Sequence, residues 1–423
     1  MSKGVLGGVR VLDLSRVLAG PYCGAFLSDL GADVVKVEAP IGDDARHLGP
    51  FKDDESVYFA ELNRGKRSIV LNFKNPEDHE RFMKLVEHAD VVLENFRPGV
   101  TKRLGVDAQS VHEVNPRVVY ASISGFGQEG PFRNRPAYDL IVQAMSGIMA
   151  ATGPKGGQPT RVGESLGDVV SGVFAGWAIS AALYERERTG TGRTIDVSMF
   201  DSLIALQVTN LSLLLADGEL PGRIGNRHPV SVPFDTYPAM DGLVALAVAN
   251  DRIWGRLVDL MERPDLGINE AYLGDMNRAD RRDEITKLVS GWTRTMTVTE
   301  LLRKAEEAGI PAAPVWNLED ALESEHVVAR HSLGHFTHPG LGKMPYIRFP
   351  VDFGSGEAEV SSAPPPRTPS GWASSRSARP ASCPRPCTPS PTRWSTARRP
   401  WRSTRTPSPT GSGCSSWTTS WPP

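Results

Sequence analysis

Apolar and polar positions alternate in short blocks over the first 125 residues. VRVLDLS, ADVVKVE, RSIVLNF, DVVLENF and RVVYASISGFG are brief apolar runs rich in β-branched residues, and they read as strands. Between them, YCGAFLSDLG has helical spacing and ends at Gly31, and PEDHERFMKLVEHA reads as a second helix. Short strands separated by helices predict right-handed βαβ units and a mostly parallel sheet, an α/β fold. Such sheets gather ligands beyond the carboxyl ends of their strands. The loops SRVLAGP, NFKNP and ENFRPG are therefore the places to look for chemistry. No G-x-G-x-x-G follows the first strand, so a dinucleotide site is not supported.

From about residue 138 to 215 the pattern is mainly helical: YDLIVQAMSGIMAATG, then DVVSGVFAGWAISAALYERERTG, then a short strand RTIDVSMF leading into another helix. GRIGNRHPVSVPFDTYPAMDG is rich in Pro and Gly and marks a linker and a new domain. DGLVALAVAND suggests a strand, residues 251–310 several helices, and HSLGHFTHPGLGKMPYIRFPVDF a return to β structure.

Charge sharpens this picture. The net charge of -2 conceals a basic tail: residues 361–423 hold nine Arg and no Asp, Glu or Lys, which leaves residues 1–360 at -11. So acidic a body has no general electrostatic reason to bind nucleic acid or an anionic membrane. An anionic ligand must be met by local basic clusters. Cys23 is the one cysteine before the tail, which fits a reducing cytoplasm. MSKGVLGGVRVLDLS lacks an apolar core of signal-peptide length, and LIALQVTNLSLLLA is too short and too interrupted to span a bilayer. The tail has five of the nine Trp and no Leu, Ile, Val or Phe. Its composition predicts disorder, and its Trp and Cys content suggests a frameshift in GC-rich DNA. Finding the same codons in frame in an intact relative would count against that hypothesis.

Asp168 is the leading candidate for chemistry. It stands before a run of small and apolar residues, where a carboxylate serves as a helix N-cap. It also has a second reading. Free amides and the helix dipole would hold it ionised, and Gly163, Ser165, Gly167, Ser171 and Gly172 leave room for a substrate. A partly desolvated carboxylate can attack an activated acyl group. Gly20-Pro21 allows close backbone approach at a helix start. Lys74, Arg97, Lys102 and Arg103 lie on strand-end loops and suit a phosphate or carboxylate, although each also fits a solvated surface. Arg135, Tyr138 and Asp139 share one loop and helix start, and Asp139 is a further candidate cap. Arg227 and His228 fall at the linker. No metal-ligand spacing, P-loop, G-x-S-x-G or C-x-x-C is present.

Taken together, VLDLSRVLAGP, LGADVVKVE, NRGKRSIVLNFK, ENFRPGVTKRLG, NPRVVYASISGFGQEGP and the Gly-Asp before a helix resemble the family III CoA-transferases. That family also includes the α-methylacyl-CoA racemases. The resemblance implies a Rossmann-like, mostly parallel sheet in a large domain, with a smaller α+β domain and an interlocked homodimer. On this chain the large domain maps to residues 1–215, the linker and small domain to 216–325, a return to the large domain to 326–360, and the aberrant tail to 361–423. The implied activity moves CoA from an acyl-CoA thioester to a free carboxylic acid through an aspartyl anhydride and an aspartyl-CoA thioester. Asp168 takes the nucleophile's position. CoA is a substrate, and no cofactor is permanently bound.

The family's CoA contacts map to Val17 and Leu18, to Leu71, Asn72, Phe73 and Lys74, to Asn95, Phe96 and Arg97, to Arg103, and to Arg135, Ala137 and Tyr138. The chain departs from the formyl-CoA:oxalate members in having Leu18 for Gln and Ala39 for Arg, and no glycine-rich loop is found in the small domain. These departures point away from oxalate. Where the racemases have a His in a G-H-D motif, this chain has Tyr138, a poor base at neutral pH, which favours transfer over racemisation. An inactive CoA-binding product, crippled by the tail, is a third reading. Arg135, Arg223 and Arg227 are candidates to hold a dicarboxylate such as succinate, and surface roles fit them equally.

Overall fold

The computed structural model describes residues 4–353. Six strands of the first part pair into one sheet: β1 (Arg10–Asp13), β2 (Asp33–Glu38), β3 (Arg67–Val70), β4 (Val91–Glu94), β5 (Val119–Ser124) and β6 (Thr194–Ser198). Every neighbouring pair is parallel, and the order is β3-β2-β1-β4-β5-β6, that of a Rossmann fold. Val11 of β1 stands opposite Val34 of β2 and Val91 of β4. The strands read as unbroken apolar runs because helices cover both faces. Val11, Val91 and Leu93 enter one core, and Leu12 and Val92 enter the other.

The helices are α1 (Ala19–Asp29), α2 (Pro76–Val86), α3 (Asp139–Met145), α4 (Leu166–Thr189), α5 (Met199–Ala205) and α6 (Val208–Asp217). Asn75 caps α2 through Glu77 N, with Pro76 in the first turn, where its missing N–H costs nothing. Two predicted helices are each divided. YDLIVQAMSGIMAATG breaks at Gly147, whose φ of 92° is left-handed, so a separate turn covers Ile148–Ala151. The apolar run after β6 breaks near Gln207, whose amide donates to Ser146 O at 2.5 Å. RSIVLNF is shorter than expected as a strand: Leu71 to Phe73 leave the sheet as loop.

The chain leaves β1 for β2 and β3, then returns to β4 on the other side of β1. That reversal opens a crevice at the carboxyl edge. α4 packs along α1, burying Ser171, Gly172, Ala175 and Ile179. A Cβ on Gly172 would stand 2.7 Å from Ala19 O, so only glycine lets the two backbones approach this closely. α4 is long and apolar enough to cross a membrane by length and composition, as core helices also can be, and part of it is buried here.

A second core surrounds an antiparallel sheet of β7 (Phe234–Pro238), β8 (Leu243–Ala247) and β9 (Ala312–Pro314), ordered β9-β8-β7. Trp254, Leu257, Ile285, Val289 and Leu301 pack against Tyr237, Val244 and Leu246. The hairpin of β10 (Leu333–His338) and β11 (Gly342–Ile347) then packs Phe336 and Tyr346 on Ala60 and Val57. Arg64 lies 4.9 Å from the Tyr346 ring, and Phe349 meets Phe26 edge-on at 5.0 Å. The tail at 361–423 lies outside the described residues.

Candidate active site

The loop from β1 into α1 is held at several points. Lys36 Nζ donates to Ser15 O at 2.8 Å, and Asn95 accepts from Arg16 N and donates to Arg16 O, both at 2.8 Å. Asp43 accepts from Val17 N at 3.0 Å. Beneath the loop lie buried ion pairs: Lys36–Asp43 and Lys66–Asp13, both at 2.8 Å, and Arg46–Glu38 at 2.7 Å. Ser15 Oγ donates to Asp13, and Lys66 also donates to Pro21 O and Asn63 Oδ1. Burial pushes the Asp43 carboxyl up, but Lys36 and the amides of Ala45 and Val17 outweigh it and hold it below the usual range. Burial would lower Lys36, yet Asp43 and Asp13 keep it above its ordinary value. For Lys66 burial wins, drawing it down to about 8.

Above this floor, at the carboxyl ends of β1, β2, β3 and β4, a cleft of about 180 Å³ opens. Its walls include Arg16, Val37, Ala39, Phe73, Lys74 and Phe96. The apolar side chains suit a flat ring or a thioester's tail, while Arg16 and Lys74 supply positive charge. Glu94 ends β4 and accepts from Phe96 N at 2.7 Å, fixing one wall. Burial pushes its carboxyl up to about 7, against hydrogen bonds from Ser122 and Phe96 N and with a small contribution from Asp196.

Asp168 belongs to the first turn of α4 but is not its cap. The helix starts at Leu166, two residues before the aspartate, and its N-cap Ser165 makes no side-chain cap bond. Asp139, at the start of α3, does the capping from outside: it accepts from Gly167 N and from Gln143 Nε2, both at 2.8 Å. Asp139 is therefore a cap, though for α4 and not for its own helix. Nor is Asp168 simply held ionised, as its position at a helix start suggests. Burial, joined by the negative charge of Asp139, pushes it up to about 7, while the Ala19 amide acts in the opposite direction. Ala19 is the first residue of α1, so its amide is among those that helix leaves unpaired. The carboxylate thus has a backbone donor and no ion-pair partner among the described residues. Burial, joined by the negative charges of Asp168, Glu164 and Asp43, pushes the Tyr58 phenol up to about 12. Among the described residues no group of three His, Cys, Asp or Glu is placed to hold a metal ion.

Comparison with known proteins agrees with the fold. Residues 6–368 match CoA-transferase family III. This chain belongs to that family. It is 44% identical over 333 residues to an acetyl-CoA:oxalate CoA-transferase of Acetobacter aceti, covering 78% of this chain and 86% of that one. It is 42% identical over 346 residues to a succinyl-CoA:mesaconate CoA-transferase of Haloarcula hispanica, covering 80% and 87%. The crystal structure of a CAIB/BAIF family protein from Brucella suis superposes with a TM-score of 0.76 at 35% identity, covering 86% and 97%.

In this family III chain the structure gathers part of the expected CoA set. Leu71, Asn72, Phe73, Lys74 and Phe96 line the cleft. Val17, Leu18 and Asn95 build the loop beside it. Arg97, Arg103 and Arg135, which covers the Phe132 ring at 4.2 Å, are exposed and outside the lining, and Ala137, also outside it, is partly buried against the core. Tyr138 is 75% exposed. Arg227 is engaged by Asp235 at 3.3 Å and Asp283 at 3.1 Å, and Arg223 donates to Gly157 O at 2.8 Å. His228 Nδ1 accepts from Ser231 N at 2.9 Å, a structural turn. Sequence reasoning flagged Ser15 and Arg16 only as part of the SRVLAGP loop, and missed Lys36, Glu38 and Asp43 in the lining. The available signal was Lys36 inside DVVKVE, since a lysine buried in a strand requires a carboxylate partner.

Proposed function

We propose that the chain transfers CoA from an acyl-CoA thioester to a small carboxylic acid, with Asp168 as covalent nucleophile. An Asp168 oxygen attacks the thioester carbon, the C–S bond breaks, and CoA leaves as thiolate from a mixed anhydride. The thiolate attacks the aspartyl carbon, the anhydride C–O bond breaks, and the donor carboxylate departs from an aspartyl-CoA thioester. The acceptor carboxylate reverses both steps. No water is consumed, so the thioester's free energy is kept, provided the site stays dry.

The observation that supports this reading is a part-buried carboxylate on the first turn of α4 that has no cation partner among the described residues, is pushed up to about 7 by burial, and is met by the Ala19 amide at the start of α1. A carboxylate of that basicity is a better nucleophile than an ordinary one, and the Ala19 amide that meets it is placed to follow the developing oxyanion once an Asp168 oxygen has attacked. The acetyl-CoA:oxalate and succinyl-CoA:mesaconate names of the relatives support dicarboxylic acids as the substrate class. A second copy of the chain belongs to the proposal: Trp177 and Tyr184 on α4 and Leu211 and Leu215 on α6 are exposed, as an apolar contact surface would be. The cytoplasm is the proposed setting.

The test is to incubate the protein with an acyl-CoA and weigh the intact chain. A CoA-sized adduct is expected that Asp168→Ala abolishes, along with transfer to an added dicarboxylate. An adduct that persists in Asp168→Ala would defeat the proposal. Solvent deuterium entering the α-carbon without any acceptor acid would indicate a racemase instead.

A further inference from the structure

Val17 has φ 65°, in the left-handed region. A β-branched residue there is a true outlier, kept only where its surroundings over-determine it. The surroundings here are identifiable. Asp43 reaches back from 26 residues along the chain, and its Oδ1 accepts from Val17 N at 3.0 Å and from Ala45 N at 2.9 Å. Its Oδ2 meets Lys36 Nζ at 2.8 Å, with both side chains at most 1% exposed. Lys36 in turn holds Ser15 O, and Asn95 holds both backbone groups of Arg16. Three successive residues of the loop are therefore fixed before Leu18 turns the chain into α1. The next amide, that of Ala19, is the one that faces Asp168.

We infer that Asp43 is a positioning residue for the transfer: by locking Val17 in the left-handed conformation it aims the Ala19 amide at the Asp168 carboxylate. The inference rests on the reading of Asp168 as nucleophile and adds a residue of the cleft's floor whose carboxylate is engaged by Lys36 and the Val17 and Ala45 amides, away from the reacting atoms. A glycine needs no such support at positive φ. The clamp should therefore matter for Val17 and become dispensable for glycine.

Asp43→Ala alone leaves Lys36 buried with only the Ser15 carbonyl and no carboxylate partner, and risks misfolding. Replacing both members with apolar residues avoids this, because a buried pair exchanged together is often neutral for stability. The test compares Lys36→Met/Asp43→Val, the same variant with Val17→Gly added, and wild type. The readouts are the rate of adduct formation at saturating acyl-CoA and its pH profile. The pair variant is expected to fold cooperatively, at a melting temperature lowered by the unpaired Val17, Ala45 and Ser15 backbone groups. It should slow adduct formation about 30-fold at a temperature well below that melt, as misplacement of a reacting group does. Its acid limb should move to higher pH, because Asp168 loses the Ala19 amide while Asp139 and the Tyr58 side chain continue to face it. Adding Val17→Gly should recover about 5-fold or more of the rate. Wild-type rate in the pair variant, or a loss that Val17→Gly does not relieve, overturns the inference. An adduct that survives Asp168→Ala overturns instead the reading beneath it.

Discussion

Two sets of carboxylates lie within a few residues of the same loop and have opposite fates. Asp13, Glu38 and Asp43 sit beneath the cleft, each within 2.8 Å of its own cation: Lys66, Arg46 and Lys36. Asp139 and Asp168 sit at the start of α3 and in the first turn of α4, where the nearest recorded cation is Arg161, 4.0 Å from Asp139 and half-exposed. Burial penalises ionisation in both places. Under the cleft the penalty is met by paired charge, which holds Glu38 and Asp43 ionised and chemically silent. Along α4 it is not met, so Asp168 binds a proton up to about 7. The difference separates carboxylates that shape a site from one able to react in it.

The contrast breaks most severely if a paired carboxylate loses its partner. Asp13→Ala leaves Lys66 fully buried with only Pro21 O and Asn63 as acceptors, and removes the two bonds from Ser15 N and Oγ. A loss of about 3–5 kcal/mol is expected, read from urea unfolding. Asp13→Leu with Lys66→Met should recover most of it. If Asp13→Ala costs under about 1 kcal/mol, the floor is not an ion-pair network in the energetic sense.

The parallel sheet was legible in the sequence because its signals are local. Five β-rich runs, with helices between them, gave five of the six parallel strands, and RTIDVSMF gave the sixth. Asp168 was legible as a residue, since a lone Asp before a glycine- and alanine-rich helix attracts attention. Its environment was not. The identity of α4's cap depended on Asp139, 28 positions upstream, and the expected ionised state failed because neither burial nor a neighbouring carboxylate can be read from spacing. Arg97, Arg103 and Arg135 were chosen for charge and loop position, yet all three are exposed in this chain, outside the cleft's lining. Asp43 and Lys36 were overlooked for the converse reason: nothing local shows that they meet.

A milder way to sharpen the contrast is to neutralise Asp168 itself. The folded carboxyl keeps its proton to about 7, and the unfolded one releases it near 4. Between those values the folded state binds more protons, so this group makes stability fall as pH rises from about 4 to about 7, and the penalty remains in full above that. Asp168→Asn has no charge to bury. It should match wild type near pH 4 and exceed it by about 1–2 kcal/mol at pH 8, a figure discounted for water reaching the site. Equal stability of the two proteins at pH 8, by thermal melts across the range, would show that the carboxylate is well solvated.

The smallest expected effect tests what keeps Asp168 basic. Asp139→Asn retains an oxygen to accept from Gly167 N, so α4 keeps its external cap, but it removes the negative charge that opposes ionisation of Asp168. The acid limb of adduct formation should then move down by about half a pH unit, making the variant faster than wild type near pH 6 and no faster at pH 8. Glu94 titrates in the same range, so the limb must be assigned. Glu94→Gln preserves the acceptor for Phe96 N and lies on β4, away from α4, so it should leave the limb where it is. A limb that follows Glu94 and ignores Asp139 would mean that the cleft wall, and not the carboxylate on α4, sets the pH dependence. The separation between shaping and reacting carboxylates would then have to be redrawn with Glu94 on the reactive side.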